Sequence, residues 1–205
     1  MFFFVACQQT ERNYYPNGNT EATLTYKSGK LNGTSVWYYE HGQPRLEITY
    51  RNGLKEGQMI RFFRNGAKET IENYKEDLLH GEVLEFDETG VLILELHYEN
   101  GKKEGKIKQY YPDGSVLLTG QYAGDQYDGI WEYFDKEGFK TGEGNFNKGK
   151  GELTAYGNNG NIIREIYYEN SIMVKEEIYS ADKQQTEKTI IYENGRIVDI
   201  QINTD

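Results

Sequence analysis

The sequence predicts an all-β protein, an elongated, twisted antiparallel β-meander built from hairpins that repeat every 24 residues. Three observations predict it. Aromatic residues recur at a constant interval, glycine-containing dipeptides mark two turns per interval, and apolar residues alternate with period two between the turns.

The lead aromatics are Tyr26, Tyr50, Tyr74, Tyr98, Tyr122 and Phe146, each 24 residues after the last, and after a two-residue contraction the series resumes at Tyr168 and Tyr192. Self-similarity at such a period is the signature of a repeat architecture. Three further columns keep step. A glycine follows seven residues on (Gly33, Gly57, Gly81, Gly105, Gly129), with Gly151 in the contracted repeat. A second aromatic comes twelve residues on (Tyr38, Phe62, Phe86, Tyr110, Phe134, then Tyr156), and a second glycine sixteen on (Gly42, Gly66, Gly90, Gly114, Gly138, then Gly160).

One set of turns ends on that second glycine, as in Asn65-Gly66 and Asp113-Gly114; the other follows the lead aromatic, as Ser28-Gly29, Asn52-Gly53, Asn100-Gly101, Lys148-Gly149 and Asn194-Gly195. A two-residue hairpin turn needs φ > 0 at both central residues, which explains the choice of Gly and Asn. Between turns, Leu92, Leu94, Leu96 and Tyr98 alternate along one face, as do Leu46, Ile48 and Tyr50. The longer strand of each repeat contains the first glycine, where a bulge absorbs the mismatch in length. The count of turns predicts about 15 strands and, at the usual strand spacing, a span of roughly 70 Å.

Residues 1–13 read as an N-terminal tail and 14–205 as the array, with degenerate repeats from about residue 170 onward. Tyr14-Tyr15-Pro16-Asn17-Gly18 repeats the pattern of Tyr110-Tyr111-Pro112-Asp113-Gly114, so a half-repeat precedes Tyr26. After Tyr168 the glycines thin out, as befits the last repeat of an array whose edge must not template aggregation.

With 33 acidic against 23 basic residues the chain carries a formal charge of -10. That sign opposes nucleic acid and anionic lipid as primary partners, because such contacts rest on clustered Lys and Arg. Hydrophobic residues make up 37% of the chain and 18 residues are Tyr, a composition suited to half-buried pleated surfaces and unlike that of disordered chains. The single cysteine, Cys7, excludes a disulfide framework within the chain. It follows the apolar run Phe2 to Ala6, and Phe4-Val5-Ala6-Cys7 is similar to the lipobox of a bacterial lipoprotein signal. Cys7 is thus the candidate lipidation site, which places the protein at the cell envelope on a lipid anchor, with a cytoplasmic location as the alternative.

The columns resemble the MORN repeat in its bacterial variant, in which Tyr-x-Asn-Gly-x-x-x-Gly precedes an aromatic pair and Asn-Gly or Asp-Gly. Residues 50–57 and 98–105 are the clearest copies. The resemblance implies sheets of β-hairpins used as junctions, scaffolds or dimer surfaces. Some relatives of this kind associate with phospholipid, which the acidity here disfavours, and many bacterial ones carry an antitoxin label.

Catalytic constellations are not evident. His41 occupies a turn and His80 precedes a repeat glycine, and neither His41, His80 nor His97 adjoins a nucleophile motif. Residues 125–129 lack the alternating acids of a calcium loop. Glu47, Glu95, Glu143 and Glu165 share one column, a set that suggests either stacked acids or, more simply, a solvated face interleaved with cations. No cofactor or metal is expected. Trp37, Tyr39, Phe63, Tyr111, Trp131 and Tyr133 occupy odd columns, which by parity along one strand lie opposite the lead aromatics. On a single-layer sheet some of them would be exposed, and the six are the candidate partner-binding aromatics. The sequence therefore predicts a non-enzymatic scaffold for protein-protein interaction or self-association, with an antitoxin or immunity protein and a cell-surface carbohydrate binder as alternatives.

Overall fold

A computed structural model describes residues 8–180 and 185–203, so Cys7 lies outside the described residues. The chain divides into two compact units, residues 1–102 and 103–205. Unit 1 holds β1 (Gln8–Tyr14), β2 (Thr20–Lys27), β3 (Lys30–Leu31), β4 (Gly33–Tyr38), β5 (Pro44–Arg51), β6 (Leu54–Phe62), β7 (Lys68–Lys75), β8 (Leu78–Phe86) and β9 (Leu92–Glu99). Unit 2 holds β10 (Lys102–Tyr110), which begins at the boundary, β11 (Val116–Ala123), β12 (Gln126–Phe134), β13 (Lys140–Asn147), β14 (Lys150–Tyr156), β15 (Ile162–Glu169), β16 (Ile172–Tyr179), β17 (Thr186–Glu193) and β18 (Arg196–Ile202).

Among the described residues there is no helix, and within each unit the strands follow one another in an antiparallel meander of hairpins, as the sequence predicts. The array is longer than the turn count suggests. Gln8 to Asn13, placed in the tail by sequence, pair residue for residue with Lys27 to Ala22. Beyond residue 170, β16, β17 and β18 pair as regularly as the strands before them. The glycine that ends this pattern in the sequence is not required: Asn170 and Ser171 take φ of 52° and 63° themselves.

The glycines inside the longer strands mark bulges, as expected. Around Gly57 the register jumps from Ile48↔Met59 to Tyr50↔Lys55, and the same jump recurs between β7 and β8 and between β11 and β12. The contracted hairpin of β13 and β14 pairs through Gly151 without such a shift. Two turns on one edge of a flat sheet would stand about 9–10 Å apart. Here they meet: the amide of Gly53 donates to Leu31 O at 2.8 Å, Asp77 to Lys55 at 3.1 Å, Gly101 to Leu79 at 2.8 Å, Asp125 to Lys103 at 3.0 Å and Gly149 to Tyr127 at 2.7 Å.

Side chains complete this lacing. Asp77 and Asp125 stand where other repeats have glycine, with φ of 68° and 71°. A non-glycine residue in this region costs roughly 1–2 kcal/mol. Each offsets that cost by accepting the amide of the previous repeat, Lys55 N–H to Asp77 Oδ1 at 2.8 Å and Lys103 N–H to Asp125 Oδ1 at 2.9 Å.

The core is a row of directly opposed residues, one per strand, on the face that bears the lead aromatics. In unit 1 it runs Ser35, Ile48, Met59, Glu72, Val83, Leu96. In unit 2 it passes from Trp131 through Gly144, Leu153, Ile166, Glu176 and Ile190 to Ile200. Ile48, Met59, Val83, Leu96, Trp131, Leu153 and Ile190 are all buried.

Candidate functional site

The six odd-column aromatics do not form the exposed set that parity suggests. A two-residue hairpin pairs an even position with an odd one, as in Tyr50↔Lys55. Parity therefore inverts at every turn, and the odd columns of one strand share a face with the lead aromatic of the next. Trp131 is the clearest correction, at 3% exposure. Its ring lies edge-on to Tyr122 at 5.2 Å and Tyr127 at 4.6 Å, and Tyr127 and Phe146 each reach Tyr168 within 5.8 Å. A Cβ at Gly120 would stand 2.3 Å from Trp131 Cδ2, so the missing side chain is what admits the indole. Trp131 Nε1 donates to Gln121 O at 3.1 Å. Burial among these rings pushes the Tyr133 hydroxyl well above its usual pKa.

Trp37, Tyr39, Phe63, Tyr111 and Tyr133 are half-buried. Two of them are struts between repeats. Tyr39 OH donates to Phe62 O at 2.7 Å and Tyr111 OH to Phe134 O at 3.0 Å, repeating the bond of Tyr15 OH to Tyr38 O at 2.6 Å. Phe63 occupies the same column without a hydroxyl, and Asn65 Nδ2 instead donates to Glu88 O at 2.7 Å.

The histidines are spread over separate elements. His41 stacks on Tyr39 at 5.5 Å and donates through Nε2 to Arg64 O at 3.1 Å. His97 on β9 is paired directly opposite Glu82 on β8. His80 stands in a column where Asn32, Glu56, Glu104 and Asp128 each accept a turn amide from the following repeat. Its Nδ1 is buried without a hydrogen-bond partner.

The acidic column separates by unit. In unit 1, Glu47 and Glu95 are held apart by Ile60, Ile71 and Leu84 along one cross-strand row. In unit 2 the corresponding row runs Thr119, Glu132, Glu143, Thr154, Glu165, Glu177, Thr189, Gln201, with every neighbour directly opposed. This row lies on the face opposite the aromatic core. Like charges placed directly opposite repel unless donors intervene, and donors do intervene. Lys140 Nζ bridges Glu132 at 2.7 Å and Glu143 at 3.0 Å. The Tyr167 hydroxyl lies 3.1 Å from both Glu165 and Glu177, and Tyr179 OH reaches Glu165 at 2.6 Å. Lys175 pairs with Glu177 at 3.0 Å while lying 3.8 Å over the Tyr167 ring.

These contacts favour the charged form at two of the carboxylates, Glu143 and Glu177. Hydrogen bonds from Lys140 and then Tyr156 hold the Glu143 carboxyl below its ordinary range. At Glu177 burial pushes the carboxyl up, but the bonds from Lys175 and Tyr167 outweigh it and the net shift is down. Burial, and then the bond to Glu165, push the hydroxyls of Tyr167 and Tyr179 up. The Glu132 and Glu143 side chains remain 35% and 48% exposed, so a partner can reach them. Among the described residues no group of three acids, histidines or cysteines is arranged to hold a metal ion. The sequence singled out Glu143 and Glu165 but missed the full row, because Glu132 and Glu177 stand in other columns and join it only through cross-strand register.

Hairpins stacked in register, laced at their turns and open on one face define a repeat scaffold of β-hairpins. The sequence pattern of the family described as "MORN repeat variant" matches residues 10–28, 31–52, 79–100, 103–123 and 150–170, just over half of the chain. The chain belongs to this family of MORN-repeat proteins. The unmatched stretches fold alike, since β6–β7 and β12–β13 are hairpins of the same register. A comparison with curated proteins returns no match. MORN repeats generally serve as scaffolds that bind proteins or membrane lipids, and the fold is typically non-enzymatic.

Proposed function

We propose that this chain is a non-enzymatic scaffold that binds a basic protein surface along the carboxylate row of unit 2, and that a lipid on Cys7 tethers it to the cell envelope. The observation that carries the first part is the row itself. Four glutamates stand in two directly opposed pairs, tyrosine hydroxyls and two lysines fix their orientation, and the Glu132 and Glu143 side chains stay 35% and 48% exposed. Ordered charge of one sign steers and registers a complementary partner, and it does so without new folding. The apolar run before Cys7 supports the tether.

The test compares affinity capture from native cells by the wild-type chain and by a Glu132→Gln/Glu165→Gln variant of unchanged circular dichroism. A stoichiometric partner held by the wild type, weakened by salt and lost with the variant supports the reading. Equal capture by both overturns it. Mass measurement of the mature N-terminus decides the tether, through a diacylglyceryl increment on Cys7 or an unmodified thiol.

A further inference from the structure

The outer face of unit 2 carries a second cross-strand row beside the carboxylates. It runs Ile130, Asn145, Glu152, Tyr167, Lys175, each directly opposed to the next. Two hollows open over it and share Asn145 and Glu152 as lining, one of about 400 Å³ that reaches Tyr167 and one of about 270 Å³ that reaches Ile130 and Thr154. They lie along β14, which has 7 residues where β12 has 9 and pairs with β13 without a bulge.

The two faces of the Tyr167 ring differ. Lys175 Nζ covers one of them, 3.8 Å from the centroid. Glu152 stands on the other side of Tyr167 in the row, so the second face turns toward the hollow. The hydroxyl, held between Glu165 and Glu177, keeps the ring in that position. Charge at the hollow is unbalanced. Glu132 and Glu143 share Lys140, Glu177 has Lys175, and Glu169 pairs with Lys150 at 3.6 Å. Glu152 is exposed where the hollows meet, and among the described residues it forms no ion pair or hydrogen bond.

We infer that these hollows seat an arginine side chain of the basic partner, its guanidinium stacked on the free face of Tyr167 and its N–H groups shared between the Glu152 carboxylate and Asn145 Oδ1. This rests on the reading that the outer face of unit 2 binds a basic protein surface. A guanidinium is planar and presents a fork of donors, so it stacks on a ring and pairs with a carboxylate at once, whereas an ammonium is a compact, strongly hydrated point charge. A cation over a ring face is attracted by the ring's quadrupole, more strongly where water is displaced. Lys175 on the opposite face does not oppose this, because Glu177 balances its charge. Ile130, 57% exposed, gives the partner chain an apolar wall at the far end of the second hollow. The larger hollow of unit 1, about 750 Å³, disfavours the same group, since Lys27, Lys30 and Arg51 there outnumber the single carboxylate of Glu56.

The test titrates a capped Gly-Arg-Gly peptide into the full, isotope-labelled chain at low salt and follows the amides of Asn145, Glu152 and Tyr167. Saturable shifts at these residues are expected, with capped Gly-Lys-Gly about tenfold weaker and the neutral citrulline analogue without effect. Glu152→Gln, an exposed change that leaves the fold intact, should weaken Gly-Arg-Gly about tenfold. Tyr167→Leu should weaken it about fivefold, whereas Tyr167→Phe should keep most of the affinity, because the ring face makes the contact. Absent or non-saturating shifts, equal affinity for the lysine peptide, or undiminished binding by Glu152→Gln overturns the inference. The reading of the carboxylate row fails separately. Capture from native cells that is lost with Glu132→Gln/Glu165→Gln but kept with Glu152→Gln leaves the row standing and removes the arginine anchor. Saturable peptide binding beside capture that ignores the row variant does the reverse.

Discussion

In unit 1 the core row is filled by residues of middling size, Ile48, Met59, Val83 and Leu96, whereas unit 2 sets Trp131 beside Gly120 and Gly144. The two rows occupy the same positions of the same repeat. A sheet with one covered face needs a given volume in its core row but tolerates different divisions of it, provided a large residue sits beside small ones. The opposite face differs as well, with Ile60, Ile71 and Leu84 in unit 1 and Glu132, Glu143, Glu165 and Glu177 in unit 2. Unit 2 packs Tyr122, Tyr127, Trp131, Phe146 and Tyr168 together on one face and sets the carboxylate row on the other, with Tyr156, Tyr167 and Tyr179 beside it.

The sharpest way to break this comparison is to remove its largest side chain. Trp131→Ala should destabilise unit 2 by about 3–5 kcal/mol in denaturant melting. Met59→Ala, its counterpart in unit 1, should cost about 2–3 kcal/mol, because less volume is lost. If Trp131 were instead a docking aromatic, its removal would leave the melting curve unchanged. Gly120→Ala should cost about 1–3 kcal/mol by driving a methyl into the indole. Trp131→Leu should relieve part of that cost in a double-mutant cycle, and strict additivity would contradict the packing described.

The turn lacing sharpens the likeness between the units. Asp77→Ala and Asp125→Ala should each cost about 1 kcal/mol, through loss of the bond to Lys55 or Lys103. Asp→Gly at either site should cost less, because glycine relieves the left-handed strain that the aspartate carries. Equal effects of alanine and glycine would show that the aspartates do not clamp the neighbouring repeat.

Alkaline titration gives the smallest effect and separates the units again. Tyr133, Tyr156, Tyr167, Tyr168, Tyr179 and Tyr192 in unit 2 have raised pKa values, each chiefly through burial, against Tyr50 and Tyr74 in unit 1. The folded state thus favours the neutral phenol. The stability this contributes is complete below the ordinary value of 10.0 and is lost as pH rises through the raised values. Unit 2 should therefore loosen before unit 1 above that pH, as followed by phenolate absorbance together with circular dichroism.

Period, hairpins, bulges and most turns were legible in the sequence because each rests on local chemistry, a glycine or asparagine at φ > 0 or an aromatic at fixed spacing. Glu76-Asp77 and Asn170-Ser171 were not, since their strain is offset by contacts or tolerated without glycine. The face of each aromatic was misread because parity holds along a strand but inverts across a two-residue turn. A signal for Trp131 was present: Gly120 and Gly144 replace the apolar residues that Ile48 and Leu96 supply in the same column. The full carboxylate row was out of reach, because Glu132 and Glu143 become neighbours only through the register of β12 on β13.

Each repeat is locked to the next at its turns. Residue-resolved hydrogen exchange of the amides of Lys55, Lys103 and Tyr127 tests this most directly, since they donate to Asp77, Asp125 and Ser171 of later repeats. Protection comparable to that of paired amides in β7 and β13 is the expected result. Exchange at the rate of an open loop would show that the repeats merely abut, and would contradict the account.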